Sequence, residues 1–148
     1  MMYNHKMALS QLIYTSTCTA AMTPRMAYIV SEKSVDICKQ LGLTGRVFAN
    51  NKQALAMTEG PTEIVRRYYQ AVAADGLVEN IVLHTDREIK AREFSNYSVW
   101  LNLDTPINFT NSVCCLSEQT LPRAMPKNIS VRLRMMVEAY VKPDLLHN

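Results

Sequence analysis

The stretch from Gly42 to Gly60 constrains the fold of this chain more than any other. The glycine that opens it can end a preceding helix in the left-handed conformation. Residues 43–49 and 53–58 predict two strands, and residues 50–52 predict the tight turn that joins them. Pro61 follows directly and suits the first turn of a second helix. A helix before a β-hairpin and another after it form the centre of a βαββαβ sandwich, the ferredoxin-like arrangement.

The segments on both sides of this hairpin supply the other elements of such a sandwich. Residues 8–16 carry the apolar and β-branched side chains of a first strand. A helix is predicted over residues 24–41, because its Thr-Pro start combines an N-cap with a proline in the first turn. A second helix is predicted over residues 61–74. Two further strands are predicted at 80–85 and 93–101, which completes a five-stranded order.

Each predicted helix has an apolar face that indicates which side packs on the sheet. In the first helix the apolar residues at helical spacing are Met26, Ile29, Val30, Ile37, Cys38 and Leu41. In the second helix they are Ile64, Val65, Tyr68, Tyr69 and Val72. The charged residues between them indicate solvated surfaces.

The chain changes character after residue 103. Residues 104–126 predict a loop with one short helix around 113–118, and a longer helix is predicted over 128–141, ended by Pro143. A sheet with helices on one face leaves the other face bare, so we expect the C-terminal helix to cover it. The predicted fold is an α+β, ferredoxin-like βαββαββ sandwich with two helices on one sheet face and a C-terminal helical segment on the other. Its domains are predicted as 1–103 and a C-terminal extension, 104–148.

Composition narrows the class of protein. The 148 residues are 48% hydrophobic and 20% charged, which is typical of a folded domain, and the net charge of +3 is too small to indicate a nucleic-acid partner. No apolar run reaches the roughly 18 residues of a membrane span, and the N-terminus has no signal-peptide pattern. The four cysteines form no CxxC pair, so we predict reduced thiols in a cytoplasmic protein.

Patterns typical of enzymes, metal sites and RNA-binding sheets are weak in this sequence. The three histidines lie far apart, and there is no phosphate-binding glycine loop or recognisable nucleophile motif. An RNA-binding sheet needs aromatic residues on its central strands, and the hairpin strands offer only Phe48. We therefore expect neither an enzyme nor a protein that binds metal, nucleic acid or membrane.

Four short motifs occur in a specific order along the chain. They are LIYTS at 12–16, GLTG at 42–45, EGP at 59–61 and FSNYSV at 94–99. Together, over about residues 8–101, they resemble the BLUF domain, a bacterial blue-light sensor that uses FAD. The resemblance implies the ferredoxin-like sandwich, with the flavin between the two helices and against the sheet. It also implies that short members place a C-terminal helical segment over the opposite face.

The resemblance assigns the photoactive residues of the family one at a time. The photoactive tyrosine of the first strand corresponds to Tyr14 and is retained. The photoactive glutamine of the third strand corresponds to Ala56. An amide side chain both donates and accepts hydrogen bonds between the tyrosine and the flavin, whereas a methyl group does neither. Without that glutamine, we expect Tyr14 to act mainly as a core residue with its hydroxyl at a polar edge, rather than as a photoactive group.

The other flavin-contacting positions of the family are also substituted. The asparagine pair that holds the flavin ring edge corresponds to Ile37 and Cys38, and the tryptophan and methionine of the fifth strand correspond to Tyr97 and Val99. A buried polar group without its partner costs about 1–3 kcal/mol. Losing two or three partners would weaken flavin binding by roughly 3–6 kcal/mol, on the order of 10²–10⁴-fold.

Three functional hypotheses follow. The first is a degenerate, flavin-free BLUF-like regulatory protein that acts by contact with a protein partner or by self-association. The second is a working photoreceptor that binds FAD. The third is a protein whose pocket binds another small apolar ligand and is lined by Ile37, Cys38, Ala56 and Met57. The expected contact surface is the C-terminal segment, with Cys114, Cys115 and the basic helix.

Overall fold

The computed structural model of this chain describes residues 7–103 and 112–146. These residues form one mixed six-stranded sheet with helices on both faces. The elements in chain order are β1 (Leu9–Cys18), α1 (Pro24–Leu41), β2 (Thr44–Asn50), β3 (Gln53–Pro61), α2 (Thr62–Ala74), β4 (Val78–Ile89), β5 (Tyr97–Asn102), β6 (Val113–Cys115), α3 (Leu121–Ala124), α4 (Val131–Tyr140) and α5 (Lys142–Leu146).

The strand order is β4-β1-β3-β2-β5-β6, which confirms the predicted ferredoxin-like sandwich. Strand β1 pairs antiparallel with β3 and β4, and β2 pairs antiparallel with β3. Strand β5 runs parallel to β2 and to β6. None of the helices in the described ranges has the length and apolarity that crossing a bilayer would require.

Local chemistry explains why α1 and the hairpin form where the sequence predicts them. The Thr23 hydroxyl accepts a hydrogen bond from the Met26 amide and caps α1. Gly42 ends α1 with φ of 71°, a left-handed conformation that favours glycine. Gly45, near the start of β2, cannot carry a side chain, because a Cβ there would overlap the Met57 carbonyl oxygen of the paired strand.

The core has two parts, one on each face of the sheet. Leu12, Tyr14 and Ala56 face α1 and α2, whereas Ile13 and Met57 face the C-terminal helices. This division follows from the alternation of side chains along a strand. Leu121, Leu133, Val137 and Leu145 of α3, α4 and α5 complete the second part of the core, so the predicted C-terminal cover of the sheet is confirmed.

The inward face of α1 differs from the prediction. Its buried residues are Ser31, Val35 and Cys38, while Ile37 is 46% exposed. Met26, Ile29 and Leu41, also predicted to face inward, are exposed as well. Ser31 tolerates burial because its hydroxyl donates to the Ala27 carbonyl one turn earlier. The spacing of apolar residues alone therefore predicted the wrong inward face for α1, because this helix buries a serine.

Several element boundaries also differ. The helix predicted around 113–118 is wrong: residues 113–115 form β6, which bonds to β5. The short helix of this region is α3, and Pro143 lies within α5, although we predicted that it would end a helix. Strand β4 is longer than predicted, and β5 begins at Tyr97. Because β6 joins the main sheet, the extension is continuous with the sandwich, and a division after residue 103 stays a prediction.

A buried carboxylate fixes the point at which β5 begins. Glu59 of β3 is 0% exposed and accepts four hydrogen bonds. Its Oε1 accepts from the Phe94 amide at 2.7 Å and from the Thr44 hydroxyl at 3.1 Å. Its Oε2 accepts from the Glu93 amide at 3.1 Å and from the Gln11 amide group at 3.2 Å. These bonds hold the loop before β5 against β3, which explains why residues 93–96 do not continue the strand.

The same network reaches the C-terminal helices. The Glu93 carboxylate accepts from the Ser130 amide at 2.6 Å and from Gln11 Nε2 at 2.9 Å. Ser130 is the N-cap of α4 and also accepts from the Leu133 amide. Glu59 and Glu93 therefore connect the sheet interior to the start of α4.

We expect Glu59→Gln to lower the free energy of unfolding by about 3 kcal/mol. Glutamine retains one acceptor oxygen but directs an NH₂ group at donors that need an acceptor. Urea unfolding followed by circular dichroism measures this loss. The control is Glu88→Gln at an exposed position of β4, which should stay within about 0.5 kcal/mol of the parent. Equal effects of both substitutions would contradict the role of the buried carboxylate.

Candidate ligand-binding site

A cavity of about 140 Å³ lies between helices α1 and α2 and the sheet. Small residues produce it. Ala49, Ala54 and Ala56 form its floor on β2 and β3, and α1 contributes Ala27 and Ser31 to the opposite wall. Because short side chains meet short side chains, the helix and the sheet leave space between them.

Four of the six positions assigned from the sequence line this cavity, namely Tyr14, Ala56, Tyr97 and Val99. Cys38 is buried beside them and contacts the tyrosines of the site. Ile37 does not line the cavity, which corrects its assignment. Neighbouring residues of an α-helix point about 100° apart, so Cys38 faces inward and Ile37 faces solvent. Met57 is also corrected, because it faces the opposite side of the sheet from Ala56.

Tyr14 and Ala56 are direct partners across the β1–β3 pairing. The residue paired with Tyr14 on β3 thus carries only a methyl group, which has no hydrogen-bonding atom, and the Tyr14 hydroxyl interacts instead with the side chain of Thr58, two residues further along β3. The Tyr69 ring packs edge-on against Tyr14, with centroids 4.8 Å apart and an interplanar angle of 72°. Burial raises the pKa of Tyr14 well above its usual value, and the nearby Tyr68 phenol adds to this shift. Tyr14 is therefore a neutral hydroxyl at physiological pH.

Cys38, Tyr68 and Tyr97 form a hydrogen-bonded cluster at the helix side of the cavity. Burial raises the pKa of the Cys38 thiol to about 11, and hydrogen bonds from the two phenols only partly offset this effect. Burial also raises the pKa values of Tyr68 and Tyr97, and Tyr68 is additionally bonded to Ser34. The sequence had placed Tyr68 on an inward helix stripe but gave no signal that it would meet Cys38.

The site therefore offers neutral hydroxyl groups and a protonated thiol. Asp75 is the one charged residue in its lining, and it is exposed at the rim. Within residues 7–103 and 112–146, no three His, Cys, Asp or Glu side chains are grouped so that they could hold a metal ion. This chemistry suits binding of a neutral group and supplies no buried acid–base pair.

We expect the Cys38 thiol to react with Ellman's reagent far more slowly than Cys115 does at pH 8. A pKa near 11 makes its thiolate fraction about 100-fold smaller than that of an ordinary thiol, and burial blocks access as well. Cys115 is exposed, so its reaction should account for the fast phase. Cys115→Ser should remove that phase, while Cys38→Ser should leave it unchanged. A fast phase that disappears in Cys38→Ser would contradict the buried placement of this thiol.

Comparisons with known proteins agree with this architecture. The family described as BLUF, sensors of blue light using FAD, matches residues 9–100. Among curated protein sequences, none gives a significant match. Similar solved structures include the BLUF protein BlrB in its dark state, with 23% identity, a TM-score of 0.58, and coverage of 65% of this chain and 73% of that chain.

A second similar structure is the BlrP1 BLUF structure, with 15% identity, a TM-score of 0.70, and coverage of 93% of this chain and 92% of that one. A third, the complex of Klebsiella pneumoniae BlrP1 with calcium and cyclic diGMP, has 16% identity and a TM-score of 0.71. The match covers 90% of this chain but only 34% of that longer chain. At these identities the structural likeness shows the fold alone, whereas the family match covers more than half of the sequence. The chain therefore belongs to the BLUF family, whose domains are blue-light sensing and signalling modules.

Proposed function

We propose that this chain is a BLUF-family signalling protein that works without flavin photochemistry and acts through protein contacts. The observation that carries the proposal is the methyl group of Ala56 directly opposite Tyr14. In the family this position holds the glutamine that connects the tyrosine to the flavin. A chain that keeps the tyrosine but has no amide there lacks the hydrogen-bonding link that the photochemistry needs.

The remaining pocket positions support the same proposal. Tyr14, Cys38, Ala56, Tyr97 and Val99 are the proposed counterparts of the family's flavin-contacting residues. The Cys38 thiol is engaged by two phenols, and Val99 has no polar side-chain atom. The space has a volume of about 140 Å³ and is partly open to solvent, so the three fused rings of a flavin would have to extend through the open side or move the helices apart. The lining thus offers hydroxyl groups where the family uses amide side chains.

The alternative is a working FAD-binding photoreceptor. Tyr14 favours it, because the photoactive tyrosine of the family is retained and lines the cavity. Membership in a family of FAD-using sensors also favours it. This alternative requires the cavity to widen and the polar flavin edge to find partners other than the family amides.

We further propose that the contact partner is a second copy of this chain, docked on the outer face of α4. Val131 is 72% exposed and Met135 is 65% exposed, and their i, i+4 spacing places them on one stripe. The N-terminal half of α4 carries Arg132 and Arg134, and its C-terminal half carries Glu138. Glu138 is paired with Lys142 of the same chain at 3.4 Å, so an antiparallel pair of α4 helices would be held mainly by its joined apolar stripes.

A cytoplasmic location is part of this proposal. The four cysteines all lie in the described ranges and none of them is in a disulfide bond; one is buried, two are half-buried and one is exposed. Free thiols persist most readily in a reducing compartment.

The purified protein should retain no flavin after incubation with excess FAD and desalting. The measurement is the flavin absorbance band in the blue region of the visible spectrum. We expect flavin retention to be weaker than in an ordinary BLUF domain by on the order of 10²–10⁴-fold. If a band does remain, blue light should not shift it in the parent chain, because Ala56 supplies no amide. The comparison variant is Ala56→Gln, which places an amide side chain at this position. If the flavin band of the parent chain shifts under blue light as the band of the variant does, the proposal is overturned.

The protein should self-associate through α4, and Met135→Glu should weaken that association by about tenfold or more. A carboxylate in the centre of an apolar contact is costly to desolvate and repels its symmetry mate. Sedimentation equilibrium measures the dissociation constant. The control is Met26→Glu, which adds the same charge at an exposed position of α1. A parent chain that stays monomeric up to about 100 μM, or equal effects of both variants, would reject α4 as the interface.

A further inference from the structure

The cavity between α1, α2 and the sheet has the size of one small ring and a mixed lining. Its volume is about 140 Å³. Apolar cavities near 150 Å³ remain dry and bind benzene. The alanines of its floor and Val47 and Val99 give it an apolar base, while hydroxyl groups stand along its walls.

The hydroxyl groups determine which rings the cavity would favour. Tyr14, Tyr68 and Tyr97 line it together with Ser16 and Ser34. Several of these hydroxyls already bond one another, as Tyr68 does Ser34, but a hydroxyl oxygen has two acceptor lone pairs and can still accept from one ligand hydroxyl. A small apolar site with a few convergent polar groups is the usual form of a small-molecule site.

The buried part of the lining has no charged side chain, so it disfavours ionised ligands of either sign. Asp75 is the one charged lining residue, and its exposed place at the rim gives a buried cation no partner. An anion would meet no positive side chain in the lining and would pass a carboxylate on entry. Burying an unpaired charge is much more costly than burying a hydroxyl that is hydrogen-bonded.

We propose that this cavity binds a neutral, single-ring aromatic compound with one hydroxyl substituent, the chemical class of phenol. The ring lies over the alanines of β2 and β3, and its hydroxyl bonds to the tyrosine and serine hydroxyls of the walls. The inference rests on the proposed function, because a resident flavin would need the same space.

The test uses phenol as the probe and the purified full-length chain. Saturation-transfer NMR should give a saturable phenol signal with a dissociation constant on the order of 0.1–1 mM, as expected for so small a ligand. Benzoate, which has the same ring and a negative charge, should bind at least about tenfold more weakly. Absence of a saturable phenol signal would overturn the inference, and equal binding of benzoate would overturn the specified ligand class.

Variants locate the binding. Ala56→Phe fills the floor of the cavity and should weaken phenol binding by at least about tenfold. Ala49→Val adds two methyl groups to the same floor and should also weaken phenol binding. This smaller change tests the site if Ala56→Phe prevents folding. Ala91→Phe adds an aromatic ring at an exposed loop position and should leave binding unchanged. Phenol binding that is equally strong in both cavity variants would place the ligand elsewhere and overturn the inference.

A parallel incubation with FAD separates the two proposals. Phenol binding without flavin retention supports both of them. If the protein shows no phenol binding and no flavin retention, the ring-binding inference is overturned and the flavin-free function still stands. Retention of a light-responsive flavin overturns the proposed function, whatever the phenol result.

Discussion

The buried carboxylate of Glu59 holds the sandwich together at the point where its strands and its C-terminal cover meet. Its four hydrogen bonds come from β1, from β2 and from the loop before β5. A carboxylate excluded from water is stable only when all its acceptors are used. The neighbouring Glu93 carries the same network to the N-cap of α4. The sheet register at β5 and the position of the C-terminal helices are therefore linked through two acidic side chains.

Arg46 of β2 strengthens the same junction from the sheet face that packs on the C-terminal helices. Its guanidinium group is buried and donates to the carbonyls of Ala124, Gly45 and Asn96, and it lies 5.0 Å from the centre of the Phe94 ring. Burial lowers the pKa of Arg46, while Glu59 acts in the opposite direction. A cation that contacts α3, β2 and the loop before β5 at once fixes the C-terminal segment to the sheet through polar bonds as well as apolar packing.

The residues that determine the fold are not the residues that line the cavity. Gly42, Gly45 and Glu59 act through backbone geometry and buried hydrogen bonds, and none of them lines the cavity. The cavity side chains can change without disturbing these determinants. This separation allows a chain to match the BLUF family over residues 9–100 while the side chains in and beside its cavity, such as Ala56, Cys38 and Val99, vary without loss of the fold. Family membership here fixes the architecture, and the side chains of the cavity decide what that architecture can bind.

The sequence by itself determined the features that depend on neighbours along the chain. The Thr-Pro cap, the left-handed Gly42 and the turn at 50–52 locate α1 and the hairpin, and strand alternation could have separated Ala56 from Met57 before the structure did. Only the tertiary structure decided that residues 113–115 pair with β5, that α1 buries Ser31 in place of Ile37, and that Tyr68 meets Cys38 and Tyr97. Each of these depends on a partner distant in sequence, and local preferences are too weak to specify such a partner.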